Sequence, residues 1–285
     1  MTLIILIFIG CVFCIFMAII FNFKTNPLNE ESAFDYYSYY YKISSPETKQ
    51  EHFQKIYNSL KQIPVSTSEP AKKNAIKNLP EINFTNVTKK TIADRLSDYI
   101  VIDVETTGLQ VGSCEIIEIA AVKFNDFIPT ECFTTLLKSK KPIPDEATRI
   151  NGITNEMVSN KPFFDEIVDS LADFIGNYNL VGHNLYFDLK FLYKNGYDFT
   201  AAKRKYFDTL ELSKKVFKKK DSNHYSNLNS DNLNKYLTEL NKVDNYKLKT
   251  LCKHVGIPDL NLHRALNDSF ETGILFNILI KEISE

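Results

Sequence analysis

The chain has 285 residues, 44% of them hydrophobic, which is enough for one sizeable core and an appendage. Its formal net charge of -1 excludes the overall basicity that advertises nucleic-acid binding, so any such binding has to come from a local site. Of five cysteines, Cys11 and Cys14 lie in an apolar leader, and Cys114, Cys132 and Cys252 are scattered without the short paired spacings of a zinc site or a disulfide framework.

Residues 3–23, LIILIFIGCVFCIFMAIIFNF, carry no charge. A helix of about twenty such residues at ~1.5 Å each crosses a ~30 Å hydrocarbon layer, so residues 1–24 are expected to be a transmembrane anchor. The competing reading is a cleaved signal peptide, but no basic residue precedes the run and no small-x-small site follows it. Lys24 and the lysines beyond it place the downstream chain on the cytoplasmic face by the positive-inside rule. Residues 25–97 read as a tether with some helix. They hold a tyrosine cluster at 36–41, suited to a membrane interface or to local packing, and a mildly amphipathic stretch near 51–62.

From residue 98 to 285 the texture is that of a globular domain. Strands are expected near 99–104, 115–124 and 132–137, joined by turns short enough for antiparallel neighbours. Helical patterns follow at 154–158 and 163–175, then a short strand at 180–183, a helix at 186–195 and a long helix at 265–283. Strands first, then alternation with helices, give an α/β fold: a mixed sheet with helices on its faces. The polar stretch 218–245 reads as an insertion. Its lysines, like Lys138, Lys140 and Lys141, either contact a polyanion or are simply solvated.

Three acidic motifs stand out in this domain. Side chains at i and i+2 of a strand share a face, so Asp103 and Glu105 in VIDVETTGL present two carboxylates side by side. Such a pair repels unless a cation joins it, and a hard divalent ion such as Mg²⁺ prefers carboxylate oxygens. Small polar residues and a glycine directly after the strand let backbone approach a phosphate or sugar. In VGHNLYFDLKFL, Asn184 is a candidate helix N-cap, and Leu185, Leu189 and Leu192 form an apolar stripe that leaves Asp188 aside. Asp188 falls in the first helical turn, at the carboxyl end of the preceding strand, where open α/β sheets gather ligands. In HRALNDSF, five residues of helix would turn through about 500°, so His263 belongs on the loop before the helix and Asp268 inside it. A histidine on a loop beside a fixed acid suits a general base.

The order D-x-E, Asp, H-x4-D, with the blocks IIEIAAVKF, INGIT, FDTLEL and YKLKTLCKHVGI between and around, resembles the DEDDh (DnaQ-like) 3′-to-5′ exonuclease family, which includes the DNA polymerase III epsilon subunit and ribonuclease T. The resemblance covers residues 99–281. It implies a ribonuclease H-like fold and two Mg²⁺ or Mn²⁺ ions held by Asp103, Glu105, Asp188 and Asp268, with His263 as general base. It also implies that Thr106, Thr107, Gly108, Leu109, Asn151 and Phe187 hold the terminal nucleotide, although Asn151 stands where relatives often have histidine. The expected activity is removal of nucleoside 5′-monophosphates from single-stranded DNA or RNA 3′ ends by a membrane-tethered enzyme. The alternative is an inactive exonuclease-fold module that recruits a partner to the membrane. These 285 residues show no pattern read as a polymerase domain, so a polymerase partner is expected to be a separate chain.

Overall fold

A computed structural model describes residues 46–69, 80–88, 96–219, 242–260 and 263–284. The expected membrane span, the tyrosine cluster and most of the 218–245 insertion lie outside these residues. Among the described residues no helix is long and apolar enough to cross a membrane.

Three long strands build the centre: β2 (Tyr99–Thr106), β3 (Ile116–Asn125) and β4 (Ile128–Leu136), paired antiparallel in sequence. β4 begins four residues earlier than its apolar run suggests. A bulge opposite Phe124 lets Pro129, which has no N–H to give, sit near the hairpin turn. Two short strands, β5 (Asn179–Gly182) and β6 (Tyr206–Asp208), add to β2 in parallel. The short β1 (Lys61–Gln62) pairs parallel with β4, so the sheet order is β1-β4-β3-β2-β5-β6. This is the mixed α/β sheet flanked by helices that the ribonuclease H-like resemblance implied.

Every position of β2 from Tyr99 to Ile102 is buried, because both faces of the sheet are covered. On one face lie α4 (Phe164–Ile175) and α5 (Leu185–Lys194), which meet Ile100, Ile102 and Val104 through Ile167, Leu171, Leu185 and Leu189. The other face, with Tyr99 and Val101, is covered by a long helix, α8 (Ala265–Ser284), together with α6 (Thr209–Val216) and α7 (Leu248–Val255). Two short helices, α2 (Asp145–Asn151) and α3 (Asn155–Val158), form a small third cluster with Ile117. α8 lies flat on β3 because Gly273 has no side chain, and a Cβ there would collide with the Phe124 ring. Tyr99 then reaches α8 with its hydroxyl, 2.6 Å from Asn277 Oδ1 and 3.1 Å from the Gly273 carbonyl.

Helix α1 (Pro46–Asn58) falls in the stretch read as a tether, yet it packs on the domain. Phe53 is fully buried and meets Phe270 of α8 edge-on at 4.8 Å between ring centroids. Burying one such side chain stabilises by roughly 1.5–3 kcal/mol, enough to hold a short helix whose own sequence is mostly polar. Val87 and Leu96 join the same core cluster.

Candidate active site

The alternation of β2 decides what the acids face. Tyr99 and Val101 point at the α8 layer, so Asp103 and Glu105, two and four residues further along, leave the same face where the core ends. Asp103 stands opposite Ala120 in the β2–β3 register. α8 brings the third acid. Carboxylate oxygens of Asp103, Glu105 and Asp268 all lie within 4.8 Å of one another, a spacing suited to a shared cation.

Asp188 approaches from the opposite direction. It lies in the first turn of α5, off the leucine stripe as expected, and it is only 3% exposed. The reason is that the helix start is wedged against β2, where Asp188 Oδ1 accepts the Val104 N–H at 3.0 Å. That bond holds Asp188 beside the strand residue that lies between Asp103 and Glu105. Asn184 does occupy the N-cap position, but its side chain makes no capping bond. It adopts a left-handed conformation instead, with φ 63, and its N–H is taken by Asp208 Oδ1 at 2.9 Å. Asp208 also caps α6 through the Leu210 N–H at 2.9 Å, so one buried acid orders the entry to α5 and the start of α6. His183, in the same motif, bridges Thr209 and the Tyr246 carbonyl, and burial pushes its pKa down to about 4, which keeps it a neutral structural residue.

Crowding of acids away from water leaves a clear electrostatic signature. Burial first, and then the charges of Asp188, Asp268, Glu105 and Glu118, raise the Asp103 carboxyl well above the usual range. Glu105 is pushed up to about 7 by burial and by Asp268 and Glu118, against the lowering effect of a hydrogen bond from Asn151. Asp268 rises to about 6, chiefly through burial, although the His263 backbone N–H hydrogen-bonds it. Asp188 is likewise raised, with desolvation outweighing its two backbone N–H bonds. Among the described residues, Asp268 Oδ1 is buried with no hydrogen-bond partner. An orphaned carboxylate oxygen facing two other acids is what a divalent cation would satisfy, so the residues present fit a metal.

His263 lies outside α8, two residues before its start, and Asp268 lies in the helix's first turn. The histidine is exposed and left-handed, with φ 72, a conformation that turns the chain sharply into the helix. What anchors that turn is a residue that the motif reading passed over. Arg264 forms a bidentate pair with Glu118 of β3, at 2.7 and 3.1 Å, and Glu118 Oε2 also accepts the Ala265 N–H at 3.0 Å. Glu118 directly faces Glu105 across the strands, a pairing of like charges that would repel without Arg264. The signal for Glu118 was in the sequence: a lone acid amid the apolar run IIEIAAV has to be either exposed or paired.

The six residues expected to contact nucleotide fare differently. Thr106 Oγ1 donates to the Gly108 carbonyl at 2.7 Å, and Thr107 Oγ1 accepts the Glu115 N–H at 2.9 Å, so both hydroxyls brace the turn after β2. Gly108 passes so near Cys114 that a Cβ would stand 2.8 Å from its sulfur. Leu109 is 84% exposed at the turn's tip. Asn151 is buried, hydrogen-bonds Glu105, and accepts the Ile153 N–H at 3.0 Å. Phe187 is half-buried against Phe191, 5.0 Å between ring centroids.

Comparison with known proteins places this constellation. A family model described as an exonuclease, RNase T, matches residues 100–276. The DNA polymerase III epsilon subunit of Aquifex aeolicus is 31% identical over 194 residues, covering 67% of this chain and 85% of the relative. The PolC-type DNA polymerase III of Clostridium perfringens is 33% identical over 189 residues, 66% of this chain, which spans only 12% of that polymerase's length. Among solved structures, E. coli exonuclease I in complex with a dT13 oligonucleotide is similar with a TM-score of 0.48 and 20% identity, over 64% of this chain and 40% of that one. Exonuclease X in complex with 5′-overhanging duplex DNA gives 0.43 and 23%, over 64% and 91%. With the matched segment spanning the acids of β2, α5 and α8, the chain belongs to the RNase T exonuclease family, the DEDDh, DnaQ-like group that its motifs resemble.

Proposed function

We propose that this chain is a metal-dependent 3′-to-5′ exonuclease that releases nucleoside 5′-monophosphates from single-stranded DNA or RNA ends. The observation that carries the reading is the group of three carboxylates within 4.8 Å, with an Asp268 oxygen that is buried and partnerless among the described residues, and a left-handed histidine just before the helix that carries Asp268.

In this reading Asp103, Glu105, Asp268 and, from the far side of β2, Asp188 hold two Mg²⁺ or Mn²⁺ ions. When bound, such ions supply Lewis acidity at the scissile phosphate and ease the ionisation of water. His263 takes the proton from the attacking water as its oxygen bonds to phosphorus. The bond from phosphorus to the 3′ oxygen breaks in line, and the departing oxygen is reprotonated from solvent. Asn151 and Arg264 limit the negative charge around Glu105, Asn151 by its hydrogen bond and Arg264 by its charge and its pairing with Glu118. The exposed Leu109 and half-buried Phe187 offer apolar surface to a terminal base. The enzyme is held at the cytoplasmic face of a membrane by residues 3–23, an assignment resting on the uncharged run and the lysines after it.

The test is incubation of the full-length protein with 5′-end-labelled single-stranded DNA and RNA, in Mg²⁺, Mn²⁺ or chelator. A ladder shortening from the 3′ end, abolished by chelator and by Asp188→Ala, is expected, and the preferred polymer is read from the same gel. An Asp188→Ala protein as active as the wild type would overturn the reading in favour of a non-catalytic binding module. Retention in the pellet after carbonate washing tests the anchor separately.

A further inference from the structure

Helix α1 lies outside the residues matched by the exonuclease family model, yet one of its side chains touches the site's supports. The Tyr57 hydroxyl donates to Asn267 Oδ1 at 2.6 Å. Asn267 in turn donates from Nδ2 to the Leu260 carbonyl at 2.9 Å. The Leu260 N–H is taken by Glu271 Oε1 at 3.1 Å, so both backbone polar groups of Leu260 are stapled to α8. Leu260 precedes His263 by three residues, and Asn267 is the immediate neighbour of Asp268. The Tyr57 ring is fixed edge-on against Phe270 at 5.4 Å between centroids, which aims the hydroxyl at a defined point. A side-chain amide anchored at both its oxygen and its nitrogen has no freedom to swing, so the Leu260 carbonyl keeps its place.

We propose that α1 is a positioning element for the general base, with Tyr57 acting through Asn267 and Leu260 to set where the His263 loop stands relative to the acids. Tyr57 is a positioning residue and touches no substrate. The proposal rests on the exonuclease reading for its catalytic consequence, while its structural consequence stands apart from it. It also makes the segment read as a tether part of the machine: whatever displaces α1 loosens the histidine.

The experiment uses the full chain with Tyr57→Phe, which keeps the ring and removes the hydroxyl. Two readouts are taken: kcat and KM on single-stranded substrate, and amide hydrogen exchange at residues 256–260 and 263–264 in metal-free protein. Loss of this part-buried hydrogen bond predicts a roughly three- to ten-fold drop in kcat with KM unchanged, and faster exchange at those residues alone. In a His263→Ala background the Tyr57→Phe loss should vanish, since the group being positioned is gone. Asn267→Ala, which removes the middle of the relay, should reproduce both effects and serves if Tyr57→Phe fails to fold. Wild-type kcat with unchanged exchange overturns the proposal and leaves the exonuclease reading intact. A full Tyr57→Phe penalty persisting without His263 also overturns it. If the wild-type chain cuts nothing, the exonuclease reading fails, and the exchange measurement alone decides whether α1 holds the loop.

Discussion

Asp103 and Glu105 leave neighbouring same-face positions of one buried strand, whereas His263 stands on a left-handed residue whose approach is held by Glu271, Asn267 and Tyr57. The acidic edge inherits its geometry from the sheet ladder: once β2 pairs with β3, the two carboxylates have nowhere else to be. The hydrogen bonds that hold Leu260, three residues before His263, join partners 7 to 210 residues apart in sequence, the latter being the separation of Tyr57 and Asn267. A ladder of backbone hydrogen bonds fails only with the fold, but a chain of single side-chain contacts can be loosened one link at a time. The acids are thus the rigid half of the site and the histidine the adjustable half.

That contrast can be broken most directly at the acids. Asp103→Asn should remove activity by roughly a thousand-fold or more if, as proposed, it withdraws a cation ligand, and single-turnover assays in saturating Mn²⁺ check it. His263→Ala should cost roughly a hundred- to ten-thousand-fold in kcat and leave cation affinity intact, measured by isothermal titration with Mn²⁺. If His263→Ala also abolishes cation binding, the two halves are not separable in this way.

The hinge between the halves is the Glu118–Arg264 pair. Arg264→Ala strands a buried carboxylate facing Glu105 and should cost about 2–3 kcal/mol, discounted because the arginine side chain is 43% exposed. Glu118→Ala lets the arginine hydrate and should cost less, about 1–2 kcal/mol. Urea midpoints of the two variants rank them, and the opposite order would mean that Arg264 does not neutralise this corner.

The smallest expected effect is on pH dependence. Glu105 near 7, Asp268 near 6 and Glu271 near 8 all have folded pKa values raised above their unfolded ones by burial. Their protonated forms therefore favour the fold, fully below about pH 4, and that contribution is lost as pH rises through 6 to 8. In chelator, the melting temperature should fall by a few degrees between pH 5.5 and 8.5, and divalent cation should restore it by replacing the protons at Glu105 and Asp268. A melting temperature that rises over that interval in chelator would mean the acids are not desolvated as described.

The strands of the central meander and the helices at 163–175, 186–195 and 265–283 were legible because their apolar periods are long and uninterrupted. Helices α2, α6 and α7 and strand β6 escaped that reading because they are short, three to eight residues, and are ordered by partners distant in sequence. Asp208, for instance, orders the entry to α5 from 24 residues away. The same limit explains Asn184. Its residue type suits a cap, but whether the side chain or the backbone conformation does the work depends on what stands opposite.

By itself the sequence determined that Asp103 and Glu105 share a face, that His263 precedes the helix that carries Asp268, and which family these motifs resemble. Those are consequences of local periodicity, and local periodicity is written into neighbouring residues. Only the tertiary structure decided that Asp188 is buried against Val104, that Glu118 and Arg264 tie β3 to α8, and that a helix from the stretch read as a tether hydrogen-bonds Asn267 of α8. Each of these is a contact between distant segments, fixed by how layers stack and which buried polar groups find partners, and no local pattern encodes it.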